Sequence, residues 1–318
     1  MKKESKTKQL ISFILTIFIN INLHLPSSIS YRLSLMTSWL AMIINSKSSQ
    51  TITENIKLCF PQLSQKERLQ LVKRYLRQNA FMSKETAIAW LGNEKQIKDK
   101  IDKVIDEHFI TELLEENQPI IIAVPHIGHW EYFWHWLQLN YPAITMYSPA
   151  KFKRIDQLMI NARSLFGGNP YSTERSGIIN IFKGLKNGKI IMILPDQAPN
   201  LDAGIYSPFF GYPALTMTLL HRLIKKTNAR LLFGTCLRNS EQQFNIQLYK
   251  PDFDAQITEI ESFNQSLNKQ IEELIKTTPE QYLWNYKRFK RQPIGEEIYT
   301  SDRLRRVKHE KKNRNSDT

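Results

Sequence analysis

The stretch Pro119-Ile-Ile-Ile-Ala-Val-Pro-His-Ile-Gly-His-Trp-Glu131 decides how the rest of this chain is read. An apolar run of strand length, residues 120–124, ends at Pro125-His126, and Glu131 follows five positions after the histidine. This order predicts an imidazole leaving the end of a buried strand and a carboxylate opening the next helix. Such a pair can take a proton from an alcohol. Were 126–131 all helical, five residues would set the two side chains about 140° apart around the axis. The spacing therefore requires His126 to stand in the turn and Gly128 to bend the backbone. The same residues also fit a hydrogen-bonded core histidine beside a helix-capping glutamate.

Outward from this block, short apolar runs alternate with helical periodicity. The predicted strands are 120–124, 143–147, 189–194, 230–236 and 243–249; the predicted helices are 129–139, 153–165, 176–186, 213–227 and 259–276. The alternation implies an α/β fold, a mixed and partly parallel sheet flanked by helices. Catalytic groups in such sheets gather beyond the carboxyl ends of the strands, and His126 and Asp196 each follow a strand. Asp196 either serves the site or ends a turn. Arg175, one position before a predicted helix, suits bidentate contact with a phosphate or carboxylate, or is an ordinary surface arginine. Ser207-Pro-Phe-Phe-Gly-Tyr-Pro213 reads as a rigid aromatic loop that lines a pocket or closes the core. Residues 51–118 read as helical, with Ser64-x-x-Glu67 as a capping box after Pro61. The chain thus divides into an anchor (1–45), a helical part (46–118), a catalytic α/β domain (119–292) and a basic tail (293–318).

Lys and Arg number 44 against 30 Asp and Glu, a net charge of +14, which calls for an anionic partner. Lys2, Lys3, Lys6 and Lys8 precede the apolar run 10–23, about two-thirds of a membrane-crossing helix. A second apolar stretch, 33–44, follows Pro26. A secretory signal fits the basic start, but Ser28-Ile-Ser30 makes a poor cleavage site. A spanning helix would put the body outside the cytoplasm; a shallow anchor steered by lysines keeps it inside and is preferred. Nucleic acid is not the expected partner, because the basic residues are scattered rather than set among stacking aromatics. Cys59 and Cys236 give no disulfide framework. His126, His129, Glu131 and His135 are close in sequence but lack the zincin spacing. Neither a phosphate-cradling glycine loop nor a Gly-x-Ser-x-Gly elbow is present.

Taken together these blocks resemble the late acyltransferases of lipid A biosynthesis, over about residues 10–292. Thr53-Glu-Asn-Ile-Lys-Leu-Cys-Phe-Pro61 is similar to the family's Asn-Leu-x-x-x-Phe-Pro segment, and His126-Ile-Gly-His-Trp-Glu131 to its His-x-x-x-x-Asp/Glu block. Arg175, the Leu-Pro-Asp-Gln run at 194–197 and Phe209-Phe-Gly211 resemble later blocks. Glu280-Gln-Tyr-Leu-Trp-Asn-Tyr-Lys-Arg-Phe-Lys290 resembles the closing signature. His129 departs from the asparagine often found there. The acid-base block alone is shared with glycerol-phosphate acyltransferases, whose fold the resemblance implies. It further implies transfer of a fatty acyl group from acyl carrier protein to a hydroxyl of a phosphorylated lipid A precursor, on the cytoplasmic face of the bacterial inner membrane. His126 would be the base and Glu131 its orienting acid. Backbone amides near Gly128, or Arg175, would meet the oxyanion, and Lys151, Lys153 and Arg154 would dock the carrier. The thioester is already activated, so no metal or cofactor is called for. A glycerophosphate acyltransferase, a membrane-associated metal hydrolase and a non-enzymatic membrane adaptor are the alternatives.

Overall fold

Two four-residue runs with every side chain buried, Ile120–Ala123 and Ile190–Ile193, lie side by side in register, Ile121 opposite Ile191. Such runs suit strands covered on both faces. The computed structural model describes residues 5–293 and 297–299. Up to these strands the elements are α1 (Lys6–His24), α2 (Ser27–Ile43), α3 (Lys47–Cys59), α4 (Gln65–Leu91), α5 (Glu94–Lys98), β1 (Ile101–Ile105), α6 (His108–Glu115) and β2 (Ile120–Ala123). Next come α7 (Trp130–Asn140), β3 (Ala143–Tyr147), α8 (Lys153–Arg163), β4 (Asn169–Ser172), α9 (Arg175–Lys186) and β5 (Ile190–Ile193). The chain continues with β6 (Gly204–Phe209), β7 (Tyr212–Met217), α10 (Leu219–Thr227), β8 (Arg230–Arg238), β9 (Phe244–Tyr249) and α11 (Ile260–Thr277).

The chain forms two units. One takes residues up to Ser34, Asn79–Pro195 and Arg222–Gln256; the other takes Leu35–Gln78, Asp196–His221 and the chain from Ile257. The first unit holds a seven-stranded sheet of order β1-β9-β8-β2-β5-β3-β4. Strands β8, β2, β5, β3 and β4 are parallel, and β9 pairs antiparallel with β8, so the edge pair β9–β1 is reversed. The sheet is mixed and partly parallel, as the alternation predicts. Helix α7 packs on it with Tyr132, Phe133, Trp134, Trp136 and Leu137 buried.

Three details differ from the sequence reading. Residues 101–105, inside the stretch read as helical, form the edge strand β1, and 169–172 form the opposite edge β4. The helix predicted over 213–227 spans only Leu219–Thr227. Its first part is strand β7, which with β6 makes a hairpin in the second unit, turning at Phe210 and Gly211, both with positive φ. Left-handed backbone at both central positions is the turn that matches strand twist.

At the N-terminus α1 and α2 follow each other across Pro26. Asn22 Oδ1 accepts from Ser30 Oγ (2.7 Å) and Ser83 Oγ (3.0 Å), and Lys84 Nζ donates to the Leu23 and Leu25 carbonyls at the end of α1. Leu10, Phe13, Ile14, Ile17, Phe18 and Ile21 remain exposed along α1. Among the described residues no helix is long and apolar enough to cross a membrane. Lys2, Lys3 and the basic tail from 300 onward lie outside the described residues.

Candidate active site

The turn after β2 is held from both sides. Val124 N donates to Ile193 O (2.8 Å), extending the ladder, and Ile127 N folds back to Pro125 O (2.7 Å). Gly128 then takes φ +66° and bridges to Cys236 on β8, where a Cβ would stand 2.0 Å from the Cys236 carbonyl oxygen. The next amide, of His129, donates to that same oxygen at 2.8 Å. Any side chain at 128 would force the turn off the sheet, and with it His126. The amides of Ile127 and His129 are thus engaged by backbone acceptors; among the described residues that of Gly128 has none. His126 stands in the turn as the spacing requires, only 8% exposed, its ring edge-on to Trp130 with centroids 4.6 Å apart.

Glu131 sits in the first turn of α7 and is buried. Its two oxygens accept from Arg163, Nε at 3.1 Å and Nη2 at 2.5 Å. Burial alone would raise the carboxyl pKa, but the guanidinium's charge and hydrogen bonds outweigh it, helped by His135 and His129, and bring the value to about 2. Glu131 is therefore an anion at any physiological pH. Removing one partner of such a pair strands the other charge in a dry site.

A second buried ion pair joins α4 to β8. Glu85 accepts from Arg238 through Nε (2.8 Å) and Nη2, and the guanidinium lies against the rings of Phe81 and Phe244. Beside both pairs is His129, 1% exposed, edge-on to Tyr132 and Phe244 at 4.8 and 5.5 Å. Among the described residues neither of its ring nitrogens has a hydrogen-bond partner, and burial first of all brings its pKa down to about 4. It is a neutral ring in an aromatic cage. His135 is engaged at both nitrogens, Nε2 with Ala89 O (2.6 Å) and Nδ1 with Gln138 Nε2 (3.0 Å). Among the described residues no three His, Cys, Asp or Glu side chains converge as a metal-ligand set.

The remaining predicted residues are dispersed. Arg175 is the exposed first residue of α9, at the carboxyl edge of the sheet after β4; the guanidinium that meets Glu131 is Arg163's. Lys151, Lys153 and Arg154 are exposed around the start of α8, with Arg154 over the ring of Phe13 (5.4 Å). Asp196 belongs to the second unit, buried there and hydrogen-bonded to Tyr282. That unit also explains two further sequence blocks. Asn55 Nδ2 on α3 donates to the carbonyls of Trp284 (2.7 Å) and Tyr286 (2.8 Å), and Arg288 donates to Leu215 O (2.6 Å) and Thr216 Oγ1 (3.0 Å).

Sequence reasoning did not single out Arg163, Glu85 or Arg238. For Arg163 a signal existed: with Ile155 and Met159 it continues the i, i+4, i+8 stripe of an amphipathic helix. An arginine in the core stripe must find a counter-charge.

The profile described as "Bacterial lipid A biosynthesis acyltransferase" matches residues 1–291. The chain is 25% identical over 273 residues to the lipid A biosynthesis lauroyltransferase of Escherichia coli (strain K12), covering 85% of this chain and 88% of that one. It is 26% identical to the palmitoleoyltransferase of the same strain over 247 residues, 76% and 79% of the two chains. The myristoyltransferase of that strain is likewise 26% identical, over 254 residues, 76% and 75% of the two. With the turn, the buried acid and the mixed sheet in place, the chain belongs to the bacterial lipid A biosynthesis acyltransferase family.

Proposed function

We propose that this acyltransferase moves a fatty acyl chain from the thioester of acyl carrier protein to a hydroxyl of a phosphorylated lipid A precursor, at the cytoplasmic face of the bacterial inner membrane. The observation that carries the reading is the turn: a histidine fixed at a strand end, one backbone amide without a backbone acceptor beside it, and a buried permanent carboxylate in the following helix. The acceptor hydroxyl attacks the thioester carbonyl carbon while neutral His126 removes its proton. The tetrahedral oxyanion takes the Gly128 amide as donor. Collapse breaks the carbon–sulfur bond, and the imidazolium returns its proton to the departing thiolate. Glu131, held by Arg163, supplies the negative charge that balances the imidazolium. No acyl-enzyme forms, because the acceptor is itself the nucleophile.

The other charges serve binding. Lys151, Lys153 and Arg154 offer an exposed basic surface to the acidic carrier. Arg175, exposed at the N-terminus of α9 where amide donors already favour anions, meets a phosphate of the acceptor. The apolar face of α1 lies in the headgroup region as a shallow anchor.

Purified protein given acyl carrier protein thioester and a phosphorylated, partly acylated lipid A precursor should yield a product heavier by one acyl group. Acylation of a glycerophosphate instead, or hydrolysis that a chelator stops, would replace this reading. Removing residues 1–25 should release the protein from membranes and weaken activity on lipid-embedded acceptor.

A further inference from the structure

Arg163 reaches Glu131 from the last residue of α8, just before an irregular turn, and that turn is fastened to α7 by side chains outside the proposed chemistry. Trp134 Nε1 donates to the Arg163 carbonyl at 2.9 Å. One turn further along α7, Gln138 Oε1 accepts from the amides of Phe166 (3.3 Å) and Gly168 (3.1 Å). The other end of that amide donates to His135 Nδ1, since His135 Nε2 must donate to the Ala89 carbonyl, which can only accept. Every proton in the chain Ala89–His135–Gln138–Gly168 is thereby assigned one direction. The approach is close: a Cβ at Gly168 would stand 2.3 Å from Trp134 Cζ2, 2.5 Å from Gln138 Oε1 and 2.9 Å from the Arg163 carbonyl oxygen. Trp134, His135, Gln138 and Gly168 are all buried.

We propose that Trp134 and Gln138, with Gly168 as the small residue that lets them close, are positioning residues that set the reach of the Arg163 guanidinium onto Glu131. The proposal rests on the acyl-transfer reading above and adds residues that neither the sequence blocks nor the family assignment single out. One helix, α7, carries the acid at its first turn and the fastening for the acid's partner one and two turns later. Geometry at the reacting centre is then set by contacts about 10 Å along the helix axis, seven residues at about 1.5 Å each.

The test compares Gln138→Met, which keeps length and loses both hydrogen-bonding ends, with Gly168→Ala and Trp134→Phe. Each should lower kcat roughly 10–100-fold, the range for a small misplacement of a reacting group, with the donor KM within about twofold of wild type. The acid limb of the pH–rate profile should also move to higher pH. Glu131 is faced by Arg163, His135 and His129, and only retreat of the guanidinium removes its main stabilising charge. Wild-type kcat and an unmoved acid limb in folded variants would overturn the proposal, and so would a fall in kcat with the limb unmoved. If His126→Ala still abolishes turnover in either case, the acyl-transfer reading stands without it. Retained turnover in His126→Ala would remove the reading itself. Should Gln138→Met fail to fold by circular dichroism, Trp134→Phe, which removes one donor, carries the comparison.

Discussion

Arg163 and Arg288 are both buried, yet the two regions use the guanidinium in opposite ways. In the sheet unit Arg163 faces a carboxylate, and the pair keeps a full negative charge in a dry site. In the second unit Arg288 donates to a carbonyl and a hydroxyl, and burial lowers its pKa despite Tyr282 and Asp196 nearby. The first arrangement keeps a carboxylate charged; the second ties a loop to a hairpin. Arg288 lies in the aromatic-rich stretch 280–290, whereas Arg163 ends a helix whose sequence, 153–163, has no aromatic residue. Only the partner distinguishes a guanidinium that keeps a carboxylate charged from one that ties neutral acceptors together.

The sharpest way to break this distinction is His126→Ala. Loss of a general base lowers turnover about 10²–10⁴-fold, and the turn that carries His126 is held by backbone hydrogen bonds to β5 and β8, so the fold should survive. More than a third of wild-type turnover in a folded variant would sink the assignment.

Glu131→Gln should come close in effect, because an amide cannot balance an imidazolium. Arg163→Ala should lose both rate and stability, about 3–5 kcal/mol for a buried charge left alone, read by denaturant titration and steady-state kinetics. Were Glu131→Gln to keep the wild-type pH–rate profile, Glu131 would be a structural acid like those that hold frames elsewhere. Arg288→Met tests the other side. Losing hydrogen bonds to two buried acceptors costs about 1–3 kcal/mol, while kcat per folded molecule should stay at the wild-type value. A large fall in kcat without a fall in stability would move Arg288 into the reacting set.

The five central and near-central strands were legible because burial on both faces, or on one, writes itself as apolar runs. The edge strands were not. Ile101-Asp-Lys-Val-Ile105 alternates imperfectly, since an edge needs only one covered face, and Asn169-Pro-Tyr-Ser172 carries a proline that an edge tolerates. The β6–β7 hairpin hid behind its turn: Phe210 occupies a left-handed position that asparagine or aspartate usually marks. In the site, the His126 turn and its dependence on Gly128 followed from spacing alone. For Arg163 the 155–159–163 stripe points to burial and hence to a counter-charge, but which acid supplies it is not written locally, because the partner is 32 residues away. Asp196 was readable as a strand-end acid, but nothing local said that its company would be Tyr282 and Arg288.

The smallest expected effect concerns His129 and appears only in acid. Its pKa in the folded protein is about 4, below the ordinary value near 6.5. Above about pH 6.5 both folded and unfolded chains hold it neutral, so stability does not depend on pH through this group. As pH falls from about 6.5 to 4 the unfolded chain takes up a proton that the folded one refuses, and stability drops. Glu131 acts in a lower window: its folded pKa is depressed, so its contribution is complete above the ordinary carboxylate value near 4.3 and disappears as pH falls toward about 2. His129→Phe should separate the two. The ring fits a cage of Tyr132, Phe244 and Trp130, and the nitrogens it removes had no partners, so stability at pH 7 should change little. Between pH 6.5 and 4 the variant's denaturation midpoint should fall less steeply than the wild type's, while the steeper loss below pH 4 remains in both. Equal slopes in the upper window would mean that His129 is solvated or hydrogen-bonded in solution, and the cage would then be a wet part of the site.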